Sequence, residues 1–340
     1  IDQVNDEHRM AATLLLSQSF SACPSRHTGS STSPSQDMDD PILLSRPQPD
    51  ILLITLNRPQ NRNAVTGSMI SSFCKALENA SVDSSIRVVV ITGNPLGRAF
   101  CAGADLSPQA GAFGQTTKKK SVVPHVANFR DGGGFSSLAA LRCTKPIIAA
   151  INGSAVGWGL AITLACDIRI VSEKAKCGFT MVARGLVNES CSSYLLPRII
   201  GNGKAKELVF TGRVFKASDA SVEAPGLFNY IVPEDQVLTR ALEIGREIAD
   251  NASGMAVATC KYLMDESWDV TIEETMLMES EALHHVSYIK KKDLKEGIAS
   301  FLERRKPTWV HDTWDDLPRF VRVGLATRRR TVPPPKQSKL

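Results

Sequence analysis

The stretch that decides the fold is KPIIAAINGSAVGWGLAITLACDIRIV, residues 145–171. Its apolar run at 146–151 predicts a buried strand, and a glycine-rich turn and a short apolar helix follow it. A second apolar run at 168–171 predicts the next strand. Strands that alternate with turns and helices in this way indicate an α/β core.

The same pattern extends in both directions from this stretch. Upstream, the runs at 51–56 and 88–91 predict two more buried strands, and apolar residues at helical spacing predict a helix from about Thr66 to Ala80. Downstream of Gly201 the pattern becomes helical. We expect helices near 203–211, 234–251, 254–265, 272–287 and 292–304.

Composition divides the chain into four parts. We expect a disordered leader, an α/β core, C-terminal helices and a tail, at 1–47, 48–250, 251–307 and 308–340. The leader is rich in Ser, Pro, Gln and Asp, and ordered structure is expected to begin at Ile51. Within the core, residues 108–134 predict a long surface excursion that can serve as a lid.

Length and charge limit the function classes. With 340 residues, 43% of them hydrophobic, the chain can bury a large core. The net charge of +5 is modest and its basic residues are dispersed, which favours a solvated surface over a nucleic-acid interface. The eight cysteines form no CxxC pair, the histidines lack metal spacing, and no apolar stretch is long enough to cross a bilayer. We therefore expect reduced cysteines, no metal site and no membrane span.

Two glycine-rich turns share one arrangement. The first glycine turn, residues 100–106 (FCAGADL), and the second glycine turn, residues 152–160 (NGSAVGWGL), each lie between a predicted strand and a helix. Glycine lets the backbone approach a ligand closely, and the first N–H groups of a helix have no intrahelical partner. Two such turns that converge can direct two donors at one oxygen and form an oxyanion hole. Taken singly, each turn is better explained by tight helix–sheet packing.

Six ordered motifs, spanning residues 51–307, resemble those of the crotonase superfamily, the enoyl-CoA hydratase/isomerase group. They are LNRPQNRNAV, AFCAGADL, KPIIAAINGSAVGWG, ACDIRIVSEKAKCGF, VFTGRVFKASDA and FLERRKP. The resemblance implies a spiral of ββα units and C-terminal helices that build a homotrimer or hexamer. It also implies an acyl-CoA substrate, whose thioester oxygen is held by the backbone N–H groups of Ala104 and Trp158. Because the substrate carries the coenzyme A, no separate cofactor is expected.

The acid/base residues implied by the resemblance separate hydration from isomerisation. Hydratases of the group use two glutamates, and the matching positions here hold Ala161 and Met181, neither of which can move a proton. The stretch RGLVNESCSSY is instead similar to the PEGCSS stretch of peroxisomal Δ3,Δ2-enoyl-CoA isomerases, whose glutamate is the catalytic base, and Glu189 matches that glutamate. Asn188 stands where proline is usual, and Ser190 replaces a glycine or alanine.

Physical chemistry also supports Glu189 as a single base. A double-bond shift along an acyl-CoA requires one base that removes a proton beside the carbonyl and returns it two carbons away, while N–H donors hold the dienolate oxygen. We expect the apolar residues Met181, Leu186 and Trp158 to desolvate Glu189 and raise its pKa. The alternative is a carboxylate that only satisfies free N–H groups at a helix N-terminus.

Further motif residues are implied as substrate-binding positions. Those of the glycine turns would lie against the thioester, and those of the last predicted helix would contact the adenine or phosphates of coenzyme A. A solvated basic helix end is the alternative for the latter pair. The positions are Ala102, Asp105, Leu106, Gly157, Phe301 and Lys306. Asp105 is also expected to cap a helix.

The carboxyl end predicts a cellular location. Ser338-Lys339-Leu340 is the tripeptide that the peroxisomal import receptor reads, and three prolines at 333–335 keep the preceding backbone extended. We therefore expect the protein in the peroxisome, with the import receptor as a partner.

Three functions remain open at this point. The favoured one is Δ3-to-Δ2 enoyl-CoA isomerisation by Glu189, in fatty-acid β-oxidation or in tailoring of an unsaturated acyl-CoA. The alternative enzyme is an enoyl-CoA hydratase or dienoyl-CoA isomerase, including one in fungal secondary-metabolite (toxin) biosynthesis. The third function is non-catalytic binding of acyl-CoA.

Overall fold

A computed structural model of the chain describes residues 40–107, 131–310 and 314–330, with side chains to residue 325. Its strands are β1 (Ile42–Gln48), β2 (Ile51–Leu56), β3 (Val88–Gly93), β4 (Ala99–Cys101), β5 (Ile147–Ile151), β6 (Ser154–Val156), β7 (Ile168–Ser172), β8 (Lys176–Gly178), β9 (Phe215–Lys216) and β10 (Tyr230–Val232). Its helices are α1 (Gly67–Val82), α2 (Gly132–Leu141), α3 (Trp158–Ala161), α4 (Ser192–Ile200), α5 (Asn202–Thr211), α6 (Ala220–Glu223), α7 (Val237–Asn251), α8 (Gly254–Glu266), α9 (Ile272–His284), α10 (Lys292–Glu303) and α11 (Arg319–Arg330).

The strands form two sheets. The large sheet has the order β1-β2-β3-β5-β7-β10 and is parallel apart from β1, whereas the small sheet has the order β4-β6-β8-β9 and is parallel apart from β9. Each of β3, β5 and β7 is followed at once by a strand of the small sheet, and helical segments return the chain to the next unit. This is a spiral of ββα units, so the expected α/β crotonase-type fold is confirmed.

The continuous apolar strands are explained by burial on both faces of the large sheet. Alternate residues such as Ile51, Val88 and Ile148 pack against α7, while their neighbours along each strand face the small sheet and α1. Parallel sheets covered on both faces read as unbroken apolar runs, because no position of the strand meets water. The strands predicted at 51–56, 88–91, 146–151 and 168–171 are all present.

Ordered structure begins earlier than predicted. The prediction that it starts at Ile51 is wrong, because β1 already pairs with β2 inside the stretch assigned to the leader. β1 is an antiparallel edge strand, and of its seven residues only Ile42 is buried. A strand with so little buried surface lacks the continuous apolar pattern that marks the strands in the centre of the sheet.

The surface excursion predicted at 108–134 also ends sooner than expected. Residues 132–134 begin α2, and Gly133 and Gly134 are buried. The glycines hid this helix, because glycine is a poor helix former. The rest of the excursion and the helix predicted after Leu106 lie outside the described residues.

The C-terminal helices confirm the helical pattern and extend it. The five helices predicted after Gly201 match α5, α7, α8, α9 and α10 to within about three residues at their ends. The helix α11 was not predicted; its Val321 and Leu325 are buried against Tyr262 and Met255 of α8. None of the helices in the described part of the chain is long and apolar enough to span a membrane.

Candidate active site

The first glycine turn begins where β4 ends and exposes one backbone donor. The Val65 N–H donates to the Gly103 carbonyl (2.8 Å), and the Asp105 N–H donates to the Val65 carbonyl (2.9 Å). These bonds use the groups on either side of Ala104, so the Ala104 N–H points away from Val65. Among the described residues it has no acceptor. Gly103 has φ 90°, a backbone conformation that favours glycine.

Asp105 stabilises the first glycine turn. Its carboxylate is buried, lies 2.8 Å from the Arg58 guanidinium and accepts a hydrogen bond from the Ser107 N–H (3.0 Å). The hydrogen bonds from Ser107, and then the Arg58 charge, hold the pKa of Asp105 below its usual range. The carboxylate therefore has a structural role in this turn. The next residue, Leu106, is half exposed, and the substrate-binding role of both residues stays a prediction.

The second glycine turn supplies a second donor. Gly157 has φ 54°, its N–H donates to the Gly178 carbonyl (3.0 Å), and its carbonyl accepts from Leu160 and Ala161. α3 begins directly after it at Trp158. The first N–H of a helix has no partner inside the helix. No other acceptor for the Trp158 N–H occurs in the described parts of the chain.

The two turns pack backbone against backbone. A Cβ built on Gly103 would lie 3.0 Å from the Val156 carbonyl oxygen and 3.8 Å from the Cα of Gly157. A residue with a side chain would therefore separate the turns. Because Ala104 and Trp158 each follow one of these glycines, their free N–H groups lie on adjoining backbone segments, as an oxyanion hole requires.

The side chain of Trp158 connects this region to α2. The indole Nε1–H donates to Ser136 Oγ (3.0 Å), and the Ser136 hydroxyl donates to the Gly133 carbonyl (2.7 Å). The ring is 1% exposed and packs edge-on against Phe73, with centroids 6.2 Å apart. The N-terminal turn of α2 therefore holds the helix that carries one of the two donors.

The N-terminal turn of α2 also packs against Glu189. Glu189 Oε2 is 2.7 Å from the position that a Cβ on Gly133 would occupy. The carboxylate is half-buried and has neither a hydrogen bond nor an ion pair with any described residue. Burial, and then the negative charge of Asp131, raises the pKa of Glu189 to about 7. The raised pKa agrees with expectation, and a half-buried, unpaired carboxylate is typical of a catalytic base.

Glu189 also lies close to the first glycine turn. Burial raises the pKa of the Cys101 thiol to about 12, and the charge of Glu189 adds to that increase. Cys101 is the last residue of β4 and precedes Ala104 by three positions. The charge effect indicates that the Glu189 carboxylate lies within electrostatic range of the end of β4, where the first glycine turn begins.

The backbone that carries Glu189 is strained. Ser190 and Cys191 both have φ 56°, and a left-handed conformation costs a non-glycine residue roughly 1–2 kcal/mol. The Ser190 carbonyl accepts from the Ser137 hydroxyl of α2 (2.8 Å). The Ser190 hydroxyl is buried and has no hydrogen-bond partner in the described structure. Strain and an unsatisfied group beside one carboxylate are features of functional sites.

Asp131 is a residue of the candidate site that was not predicted from the sequence. It is the N-cap of α2, where its carboxylate accepts a hydrogen bond from the Gly134 N–H. The same oxygen also accepts from the Ser190 N–H at 3.5 Å, so Asp131 connects α2 to the backbone that follows Glu189. An aspartate directly before a helix is a known start signal, which could have located it. The glycines that follow it concealed the helix.

The hydratase positions provide no acid or base. Ala161 is 0% exposed at the end of α3, and Met181 is 5% exposed in the turn before Glu189. Both side chains are apolar and belong to the main hydrophobic core. A pair of carboxylates at these two positions is therefore excluded.

The remaining predicted binding residues lie in two separate places. Ala102 is part of the first glycine turn, where its N–H donates to the Arg62 carbonyl (3.1 Å). Phe301 lies on α10 and is 81% exposed, and the Lys306 ammonium pairs with Asp250 (3.0 Å). No recorded contact in the described residues joins Phe301 or Lys306 to the glycine turns. Their contact with coenzyme A stays a prediction.

Comparison with known proteins agrees with this geometry. The family model described as enoyl-CoA hydratase/isomerase matches residues 46–312. The enoyl-CoA hydratase ACTT3 of Alternaria alternata is 40% identical over 258 residues, 76% of this chain and 82% of that protein. The mevalonyl-coenzyme A hydratase sidH of Aspergillus fumigatus is 34% identical over 271 residues, 78% of this chain and 94% of that protein.

A solved structure gives the same result. The enoyl-CoA hydratase of Bacillus anthracis superimposes with a TM-score of 0.68 at 31% identity, covering 79% of this chain and 98% of that one. The chain therefore belongs to the enoyl-CoA hydratase/isomerase family, a family of enzymes that act on acyl-CoA thioesters. The described helix α11 lies beyond the residues that the family model matches.

Proposed function

We propose that the protein is an enoyl-CoA isomerase that moves a double bond from the Δ3 to the Δ2 position with Glu189 as its single base. The observation that carries this proposal is the Glu189 carboxylate, which lacks a partner among the described residues and has a pKa of about 7. The carboxylate lies within electrostatic range of the first glycine turn, which packs against the second, and the N–H groups of Ala104 and Trp158 have no acceptor among the described residues. One base and two oxyanion donors are sufficient for a double-bond shift.

The reaction then follows in two proton transfers. Glu189 removes a proton from C2 of the 3-enoyl-CoA, and the electron pair moves through the carbonyl to form a dienolate. The N–H groups of Ala104 and Trp158 stabilise the negative oxygen, an effect of about 3–4 kcal/mol for one donor where it has been measured. Protonated Glu189 returns the proton to C4, so the double bond ends at C2–C3 and the base is regenerated.

Hydration of a 2-enoyl-CoA is the second candidate, because relatives with 34–40% identity carry the name hydratase. Without acid or base at Ala161 and Met181, Glu189 would have to activate the water by itself or with an unusual partner. The single unpaired carboxylate favours isomerisation. We propose either β-oxidation or tailoring of an unsaturated acyl-CoA as the setting.

Direct turnover separates these functions. The purified protein is given trans-3-enoyl-CoA, trans-2-enoyl-CoA and 3,5-dienoyl-CoA, and the double-bond position and hydration of each product are measured. We expect trans-2-enoyl-CoA from the first substrate. Formation of 3-hydroxyacyl-CoA without isomerisation would give first place to hydration. Binding of all three esters without any product would indicate an acyl-CoA-binding protein.

We also propose import into the peroxisome through Ser338-Lys339-Leu340, which lies outside the described residues. Deletion of these three residues should leave isomerisation unchanged, because the site is built from α2, the glycine turns and Glu189. A fluorescent protein fused in front of the full chain should accumulate in peroxisomes, whereas the shortened chain should remain in the cytosol. The targeting proposal is wrong if microscopy shows the same distribution for both.

A further inference from the structure

Oxygen atoms of three side chains converge over the N-terminal turn of α2. Ser190 Oγ, Glu189 Oε2 and Asp131 Oδ1 all lie within 3.1 Å of the point that a Cβ on Gly133 would occupy. The Ser190 side chain is 0% exposed and its hydroxyl has no partner in the described structure. Only a glycine at position 133 leaves room for these oxygens.

Asp131 holds this cluster together. One of its oxygens accepts hydrogen bonds from the N–H of Gly134 and, at the longer distance of 3.5 Å, from the N–H of Ser190. The first bond caps α2 and the second holds the left-handed turn that follows Glu189. A purely capping aspartate would need only the first of these bonds.

Asp131 also places a negative charge beside Glu189. Among the described residues, no basic group pairs with Glu189 or lowers its pKa. The thiols of Cys101 in β4 and Cys191 before α4 are neutral near pH 7, because burial raises the pKa of both. Arg142, at the far end of α2, acts on the Cys191 thiol. Arg58, which acts on the Cys101 thiol beside the first glycine turn, is paired with Asp105.

From this geometry we propose that Asp131 is a positioning residue for Glu189, which fixes the turn that carries the glutamate and acts on its carboxylate through a like charge. The inference rests on the proposed function of Glu189 as the base. A like charge close to a carboxylate favours the protonated form. Glu189 that has taken a proton from C2 therefore holds it long enough to return it to C4, and the base operates near neutral pH.

The test separates charge from structure with two substitutions. Asp131→Asn keeps an oxygen acceptor for Gly134 and Ser190 but removes the charge, whereas Asp131→Ala removes both. For Asp131→Asn we expect the acid limb of kcat/KM for 3-enoyl-CoA to move to lower pH by about one unit. We expect kcat above about pH 8 to stay near that of the parent. Asp131→Ala should have a lower kcat than the parent at all pH values. Asp131→Asn should not show this loss, because it keeps the hydrogen-bond acceptor.

A second measurement does not depend on turnover. In protein labelled with 13C at the glutamate carboxyl carbons, the Glu189 signal is assigned by its absence from Glu189→Gln and is titrated by NMR without substrate. Its midpoint should also fall by about one unit in Asp131→Asn. Asp235→Asn, which removes a charge from an exposed turn before α7, is the matched control and should leave the midpoint unchanged.

Each outcome decides the proposal. An unchanged midpoint and acid limb in Asp131→Asn, or an equal shift in Asp235→Asn, would overturn it. If no enoyl-CoA is isomerised but the NMR midpoint falls only in Asp131→Asn, the proposed function fails while the Asp131–Glu189 coupling holds. If Asp131→Asn does not fold, Asp131→Ser replaces it, because serine is also a good N-cap acceptor without charge.

Discussion

Glu189→Gln is expected to lower kcat for isomerisation by at least about 100-fold and to change KM little. The amide has nearly the shape of the carboxyl group but cannot accept the proton from C2. Binding of the thioester depends on other groups, so the affinity for the acyl-CoA should remain. The measurement is steady-state kinetics with trans-3-enoyl-CoA, together with equilibrium binding of a non-reactive acyl-CoA.

The same variant should be more stable than the parent at alkaline pH. The pKa of Glu189 is raised from 4.5 to about 7 in the folded protein. Between these values the folded state binds more protons than the unfolded state, so stability falls as the pH rises, and the loss is complete above about pH 7. Glutamine cannot ionise and avoids this loss. Thermal unfolding of both proteins at about pH 5 and about pH 8 should show a difference in Tm only at the higher pH.

Glu247→Gln is the matched control, because Glu247 is exposed on α7 and outside the site. It should keep both the parent activity and the parent pH dependence of Tm. Near-normal isomerisation by Glu189→Gln would remove Glu189 as the base. A loss of activity accompanied by a lower Tm would instead indicate that the substitution had disturbed the fold.

Gly133→Ala is expected to lower kcat by about 10- to 100-fold although it adds only a methyl group. The new Cβ would collide with the buried Ser190 hydroxyl and would lie 2.7 Å from Glu189 Oε2 and 3.1 Å from Asp131 Oδ1. All three oxygens are at the ends of side chains, so we expect them to shift and the protein to fold with some loss of stability. The displaced carboxylate, however, no longer reaches C2 in the productive geometry. Steady-state kinetics and thermal unfolding measure the two effects separately.

Gly203→Ala provides the comparison, because Gly203 is also helical, lies in α5, and a Cβ there would meet no atom within 4 Å. Alanine is the better helix former, so this variant should gain up to about 1 kcal/mol in stability without any change in kcat. If Gly133→Ala behaves like Gly203→Ala, the packing of α2 beneath Glu189 does not position the base.

The sequence predicted those parts of the fold whose pattern reflects burial. The strands at 51–56 and 146–151 are apolar at almost every position, Thr55 being the exception, because both of their faces are covered, and this leaves a clear signal. β1 left no such signal in the sequence, because an edge strand with exposed side chains resembles a polar loop. The helix α11 was hidden in a basic tail, where the buried Val321 and Leu325 are separated by half-buried or exposed residues.

The site was predicted only in part for a related reason. Ala104, Trp158 and Glu189 were located through local motifs, and each motif is a single segment of chain. Asp131 instead connects two segments that are far apart in the sequence, the start of α2 and the backbone after Glu189. No spacing in the sequence encodes that contact. Similarly, the left-handed φ of Ser190 depends on tertiary packing that overrides the preference of serine.

The helix α2 holds both the Trp158 oxyanion donor and the base Glu189. The Gly133 carbonyl is connected through Ser136 to the Trp158 ring, and the next residue, Ser137, donates its hydroxyl to the carbonyl of Ser190, beside Glu189. A displacement of α2 would therefore move the Trp158 donor and the backbone beside Glu189 together. We expect the spacing between donor and base to tolerate such a displacement. Substitutions that leave these contacts of α2 intact should therefore leave the chemical step unchanged.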